Sequence, residues 1–220
     1  TFPMLKTLSN SSDILGERVV LGVGQTTALS YITNTGSIIS SGYMGLGASV
    51  LHHAGRIEGG NVIDLAANSL VLAGTNSIVT GGGLNITAKN LDAIAGGAIS
   101  TPNLITLNVS DKFVAPAGNV LALAAAGVTL KGNATSNDLS GVSISVSAGR
   151  FQTAFVDWPG LNRGTEAAGF VNNSAIAALV LTIGEYGRAD IRASGSGDRA
   201  LYTKRLELNG DFSQYINITN

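Results

Sequence analysis

Gly55-Arg56-Ile57-Glu58-Gly59-Gly60, Asn76-Ser77-Ile78-Val79-Thr80-Gly81 and Gly97-Ala98-Ile99-Ser100-Thr101-Pro102 read alike, and Ile57, Ile78 and Ile99 recur at a constant step of 21. A second series keeps phase with the first: Ile63, Leu84 and Ile105 also step by 21. A fixed period of this length marks a chain wound into coils, in which each coil buries its apolar face only against its neighbours. The coils can be laid out as rungs. The first holds Ile57, then Ile63 and Leu65, then Leu70 and Leu72. The second holds Ile78, then Leu84 and Ile86, then Leu91 and Ile94. The third holds Ile99, then Ile105 and Leu107, then Phe113.

Inside each rung the pattern has period two, which is the strand signal. Leu84, Ile86 and Ala88 alternate with Asn85 and Thr87; Ile105, Leu107 and Val109 alternate with Thr106 and Asn108; Val142, Ile144 and Val146 alternate with Ser143 and Ser145. Helical patterning is scarce. Its one candidate, residues 165–181, is interrupted by Gly169 and by Asn172-Asn173, so a short helix there is the less favoured reading. The chain is therefore expected to be all-β, a parallel β-helix, with an antiparallel β-sandwich or jelly roll as the alternative.

Three regions follow. Residues 1–50 fit the repeat less well. Arg18-Val19-Val20-Leu21 and Ala28-Leu29-Ser30-Tyr31-Ile32 read as strands and Ile38-Ile39 as an irregular rung, so this region is expected to cap the coil. Residues 51–150 carry the rungs. After Phe113 the register slips: the step from Ile105 to Leu121 is 16 and that from Leu121 to Val142 is 21, which implies a shortened rung or a loop deletion. Residues 151–220 are a strand-rich continuation or cap. They open on Phe151, Phe155, Trp158 and the turn signal Pro159-Gly160. They then gather balanced charge between Glu185 and Asp211, with strand-like runs at 189–192 and 201–208 around Ser194-Gly195-Ser196-Gly197, and solvent-facing ion pairs across strands are expected there.

Composition narrows the function classes. Of 220 residues 45% are apolar, ample for a core, but only 12% are charged and the net charge is −1. No basic stripe marks a nucleic-acid partner. The 29 glycines, with abundant Asn, Ser and Thr, are turn chemistry repeated many times. Cysteine is absent, which excludes disulfides and thiolate-bound metals and fits export through a bacterial envelope. No apolar run approaches the length of a membrane-spanning helix. Thr1-Phe2-Pro3 shows no signal peptide, so a mature form or an excised fragment is expected.

Candidate chemistry is thin, and no cofactor is called for. His52-His53 is the sole histidine site. Strand neighbours face opposite ways and cannot readily chelate one metal, so ordinary surface or loop histidines are expected. No nucleophile-elbow sequence accompanies them. Gly22-Val23-Gly24 after Val19-Val20-Leu21 begins like a dinucleotide loop, but Thr27 stands where the third glycine belongs and no helix follows, so a turn is expected. A polysaccharide-cleaving β-helix would need clustered carboxylates. Glu58, Asp64, Asp92, Asp111 and Asp138 are spread out, with Glu58 and Asp64 alone able to share a face. The chain is accordingly expected not to be an enzyme. Six N-x-S/T sequons, at Asn10, Asn85, Asn108, Asn133, Asn172 and Asn217, are candidate glycosylation sites; the favoured reading is β-helix turns and outward positions. Apolar Phe2, Met4 and Leu5 open the chain, and Tyr215, Ile216 and Ile218 close it in a strand pattern. These ends are candidates for strand exchange with a second copy, or for docking on their own domain.

The runs Gly59-Gly60-Asn61-Val62-Ile63-Asp64-Leu65-Ala66-Ala67, Gly82-Gly83-Leu84-Asn85-Ile86-Thr87-Ala88 and Gly118-Asn119-Val120-Leu121-Ala122-Leu123-Ala124-Ala125 resemble the repeats of filamentous-haemagglutinin-type secreted surface proteins. Residues 177–208 loosely resemble a stretch near the C-terminal end of such β-helices. The resemblance implies a right-handed coil, secretion, and an adhesin-like or structural role at a microbial cell surface, and it supplies no catalytic residues. Self-association, other surface proteins or glycans are the expected partners. A self-assembling filament subunit joined by β-strand exchange is the second expectation, and a carbohydrate-binding or carbohydrate-cleaving β-helix the third.

Overall fold

The computed structural model describes residues 6–23, 29–114, 119, 121–133, 139–142, 144–156, 169–172, 176–183, 188–192, 201–202, 205–208 and 215–219, with side chains described no further than Leu130. The strands in chain order are β1 (Thr7–Asn10), β2 (Asp13–Gly16), β3 (Val19–Leu21), β4 (Leu29–Asn34), β5 (Ser37–Ser40), β6 (Met44–His53) and β7 (Arg56–Gly59). Next come β8 (Ile63–Leu72), β9 (Ser77–Thr80), β10 (Leu84–Asp92), β11 (Gly97–Ser100), β12 (Leu104–Val114), β13 (Leu121–Asn133) and β14 (Leu139–Val142). The last are β15 (Ile144–Val156), β16 (Gly169–Asn172), β17 (Ile176–Ile183), β18 (Arg188–Arg192), β19 (Leu201–Tyr202), β20 (Arg205–Leu208) and β21 (Tyr215–Thr219).

Every strand pairing among the described residues is parallel, which removes the antiparallel sandwich. Parallel neighbours cannot be joined by a tight hairpin, and here the rest of each coil is the crossover. The result is a parallel β-helix with three faces. On the first, the register runs Ile14, Ile38, Ile57, Ile78, Ile99, Leu123, Val146, Ile176, Leu201. On the second it runs Val19, Met44, Ile63, Leu84, Ile105, Val128, Phe151, Leu181, Leu206. On the third it runs Leu8, Ile32, Leu51, Leu70, Leu91, Phe113. Strand β14 then lies against β12, and the separate sheet of β14, β16, β18 and β21 follows.

Alternation places one residue in two inside, and the inside is aliphatic. Ile38, Ile57, Ile63, Ile78, Leu84 and Ile105 are fully buried. Each such side chain contributes about 1.5–3 kcal/mol by leaving water, and no coil could collect this alone. Leu8, Ile14 and Leu21 pack against the same core, and the N-terminal strands β1–β5 pair within the three ladders. At two turns the preceding coil comes so close that only glycine fits. A Cβ on Gly55 would lie 2.0 Å from the Gly36 carbonyl oxygen of the preceding coil, and one on Gly60 would lie 2.1 Å from that of Ser41.

The structure corrects the sequence reading at several points. Ile94, expected inside the second rung, is 48% exposed, and Ala93 is buried there instead. The slip after Phe113 is a lengthened rung: Ile99 pairs with Leu123, a step of 24, and Ile105 with Val128, a step of 23. The apparent step of 16 compares positions on two different faces. Val142 closes β14, whereas Leu121 pairs with Ile144 in β15, so the run 142–146 is divided between two strands rather than forming one. Within 165–181 the described residues 169–172 and 176–181 are strand. The charged run yields strands β18, β19 and β20, while the expected ion pairs there lie outside the described side chains.

Candidate functional site

The corner between the third and first faces is polar inside. Asn10, Asn34 and His53 occupy one register position on successive coils, and all three are buried. The Asn10 Nδ2 group donates to Asn34 Oδ1 at 2.8 Å and to the Ser37 carbonyl at 3.0 Å. Asn34 Nδ2 donates in turn to His53 Nδ1 at 3.1 Å and to the Arg56 carbonyl at 3.2 Å. His53 Nε2–H then donates to the Ser77 carbonyl at 3.1 Å. Ser37, Arg56 and Ser77 are themselves in register, so each side chain ties its coil to the same point on the next. A stack with every group paired recovers what burying polar atoms costs.

This wiring fixes the His53 tautomer. Asn34 can give only N–H to Nδ1, because its oxygen already accepts from Asn10. Burial lowers the His53 pKa to about 4; the Ser77 carbonyl pulls the other way and His52 adds to the fall. The expected surface histidines are corrected accordingly: both lie on β6, His53 is wholly buried, and the half-buried His52 has an enclosed Nδ1 without a hydrogen-bond partner. The two do face opposite ways, as strand geometry requires.

A second corner uses hydroxyls. Ser40 donates to the Glu17 carbonyl at 2.9 Å, Thr80 to that of Asn61 and Thr101 to that of Gly82, each reaching back one coil. The same oxygens accept the N–H two residues on, from Gly42, Gly82 and Asn103. The turn is thus closed from both sides.

The outer side of the second face carries the richest surface chemistry. Gly45, Asp64, Asn85, Thr106 and Thr129 stand in one register row, and Gly47, Ala66, Thr87 and Asn108 in the next. Asn85 Nδ2 donates to Asp64 Oδ1 at 2.8 Å, and the Tyr43 phenol lies close enough to the same carboxylate to feel its charge. The Tyr43 phenol pKa is raised, first by burial and then by Asp64, with Arg18 opposing. The Arg18 guanidinium lies 5.5 Å from the Tyr43 ring centre. Beside these residues an open groove of about 360 Å³ is lined by Gly22, Val23, Gly47, Ser49, Ala66, Asn68 and Thr87, among others.

Other expected positions are dispersed. Glu58 lies on the first face and Asp64 on the second, so they do not share one. Asp138 lies outside the described residues. Among the described residues no three His, Cys, Asp or Glu side chains gather at metal-binding range. Gly22 sits at φ +72° in a turn after β3, with strand β4 next among the described residues. Of the sequons, Asn10 is buried in the polar stack, Asn85 and Asn108 are exposed, and the side chains of Asn133, Asn172 and Asn217 lie outside those described. Phe2, Met4 and Leu5 lie outside the described residues. Tyr215, Ile216 and Ile218 form β21, which pairs with β18.

Sequence reasoning misses the polar stack and the Arg18–Tyr43–Asp64–Asn85 cluster. The stack has a signal: Asn34 and His53 each precede a turn glycine, Gly36 or Gly55, by two positions. The cluster has none, since its members come from several coils. No protein-family model, curated protein or solved structure matches the chain. The fold is a parallel β-helix on its own geometry.

Proposed function

We propose that the chain is a non-enzymatic, extracellular β-helix module, structural or adhesin-like, at a microbial cell surface. The observation that supports this is the run of inner ladders from coil to coil, shifted by one residue at a bulge between Ala88 and Asn90 where β10 meets β12, beneath outer rows of small and polar side chains. Such a coil is stiff along its axis because every coil is bonded to both neighbours, and it offers long, regular outer faces for contact. The two ion pairs among the described residues, Arg56–Glu58 and Lys89–Asp111, are solvent-exposed and contribute little to stability. Immunogold labelling of intact producing cells tests the reading: label on the outer surface is expected, and label confined to the cytoplasm overturns it.

A second reading is a filament subunit joined by strand addition. It is favoured by β21, which ends its sheet and pairs only with β18 among the described residues, leaving an edge that a strand of a second copy would fit. Sedimentation velocity tests it, since a purely monomeric species across a hundredfold concentration range sinks it.

A further inference from the structure

His53 is the one buried ionisable side chain among the described residues, and it sits at a joint of the coil. Among those residues β1 and β2 pair only with β4 and β5, and β3, β4 and β5 join the rest of the coil through β6 and β7 alone. The Asn34–His53 bond crosses this joint. On the next coil the same register position is Leu72, so the polar stack ends on the histidine. The first coil is also the least enclosed. Its Leu8, Ile14 and Leu21 are half-buried, whereas Ile32, Ile38 and Met44 on the second are fully buried.

The stack has no place for a second proton on this histidine. Nδ1 accepts from Asn34 and Nε2–H donates to the Ser77 carbonyl, so a proton on Nδ1 sets donor against donor. Reversing the Asn34 amide would turn its oxygen onto the Arg56 carbonyl and its N–H groups onto those of Asn10. Reversing Asn10 as well would set its oxygen against the Ser37 carbonyl. Each amide is thus pinned by a backbone oxygen, and no relay of flips accommodates the charge. No inward carboxylate pairs with it either. On the strands around it, β1, β5 and β9 carry no ionisable side chain, Tyr31 on β4 is exposed, and Asp64 lies at the far end of β8 on another face. Asp13 on β2 and the paired Arg56 and Glu58 on β7 point outward, and His52 takes the opposite side of β6.

We infer that this joint is an acid-operated release: protonation of His53 parts strands β1 to β5, as a unit, from the rest of the coil. A coil held by contacts between neighbours can open at one joint while the others stay closed. A cation in an apolar interior regains water only when the joint beside it opens. The ladders beyond it, from Ile78 to Leu130, enclose no ionisable group that would open them in the same way. Release bares the inner side of Leu51 and Ile57 and leaves β6 and β7 with a free parallel edge. The inference adds a regulatory step to the surface-module reading and does not depend on it.

Hydrogen exchange of the full chain, read by mass spectrometry at pH 7.5 and 5.0 and corrected for intrinsic rates, tests this. With the folded His53 pKa of about 4 against the ordinary 6.5, opening of the joint should rise about 30-fold at the lower pH. Amides of residues 29–40 are therefore expected to lose about 30-fold in protection, while those of 77–114 change by less than about threefold. His53→Asn, which keeps an amide in the stack, is expected to remove the loss, and His52→Asn to retain it. Equal loss over both segments, no loss at 29–40, persistence of the loss in His53→Asn, or its disappearance in His52→Asn overturns the inference. Comparing the two segments needs only the wild type, so the test stands even if His53→Asn does not fold.

Discussion

Lowering the pH should weaken this coil through one side chain. His53 is fully buried, and its Nδ1 faces the amide N–H of Asn34. Protonation would set N–H against N–H. Turning the Asn34 amide to relieve this would break its bonds to Asn10 and to the Arg56 carbonyl. The folded pKa of about 4 lies below the ordinary 6.5, so between these values the unfolded chain holds more protons than the folded one. Stability is therefore full above pH 6.5 and falls as the pH drops toward 4. With these pKa values, about 1.36 kcal/mol per unit gives a loss of about 2 kcal/mol at pH 5, approaching about 3 kcal/mol below pH 4. The assay is urea denaturation of the wild type and His53→Asn at pH 7.5, 6.5, 5.5 and 5.0. Asparagine continues the Asn10–Asn34 stack without titrating, and taking the difference between the two proteins removes the shared contribution of carboxylates. That difference is expected to shift by about 2 kcal/mol from the highest pH to the lowest. An unchanged difference, or a His53 imidazole that titrates near 6.5 by NMR in the folded protein, refutes the reasoning.

Other outcomes follow from the same geometry. Ile78→Ala, at a fully buried ladder position, should cost about 2–5 kcal/mol in chemical denaturation, whereas Ile94→Ala at an exposed one should stay within about 0.5 kcal/mol. Gly55→Ala would press a methyl group 2.0 Å from the Gly36 carbonyl oxygen and should destabilise by about 1–3 kcal/mol or more. Gly83→Ala, where the nearest atom is the Leu104 carbonyl oxygen at 3.4 Å, should be tolerated, and thermal melts compare the two. Thr80→Val removes the hydroxyl that ties Asn61 to Gly82 and should lower stability by about 1–3 kcal/mol in the same melts.

The coil is legible in the sequence because two constraints coincide in the central rungs. Ile57, Ile78 and Ile99 must repeat to stack, and the turn residues between them keep an equal count. Where the turns lengthen, the ladders persist but the period does not, so Leu123 and Val128 fall out of step along the chain while staying in register in space. The N-terminal coils are obscured in the same way: Ile38 pairs with Ile57 at a step of 19 and with Ile14 at a step of 24. Ile94 misleads because apolar character alone does not say which side of a corner a residue takes; Ala93 fills the inward place. His53 is hidden because a histidine's burial depends on partners from other coils, here Asn34 and Ser77, which no local pattern shows.

The central claim is that residues one period apart lie side by side in parallel strands. The cysteine-free chain allows spin labels to be placed cleanly on the outward row of the first face, where Leu15, Ile39, Glu58, Val79, Ser100 and Ala124 stand in register. Double electron–electron resonance on the cysteine pairs Leu15→Cys/Ser100→Cys and Leu15→Cys/Ala124→Cys should give distances of ~19 and ~24 Å, four and five strand spacings. A second distance equal to or shorter than the first, as antiparallel return of the chain would produce, contradicts the account.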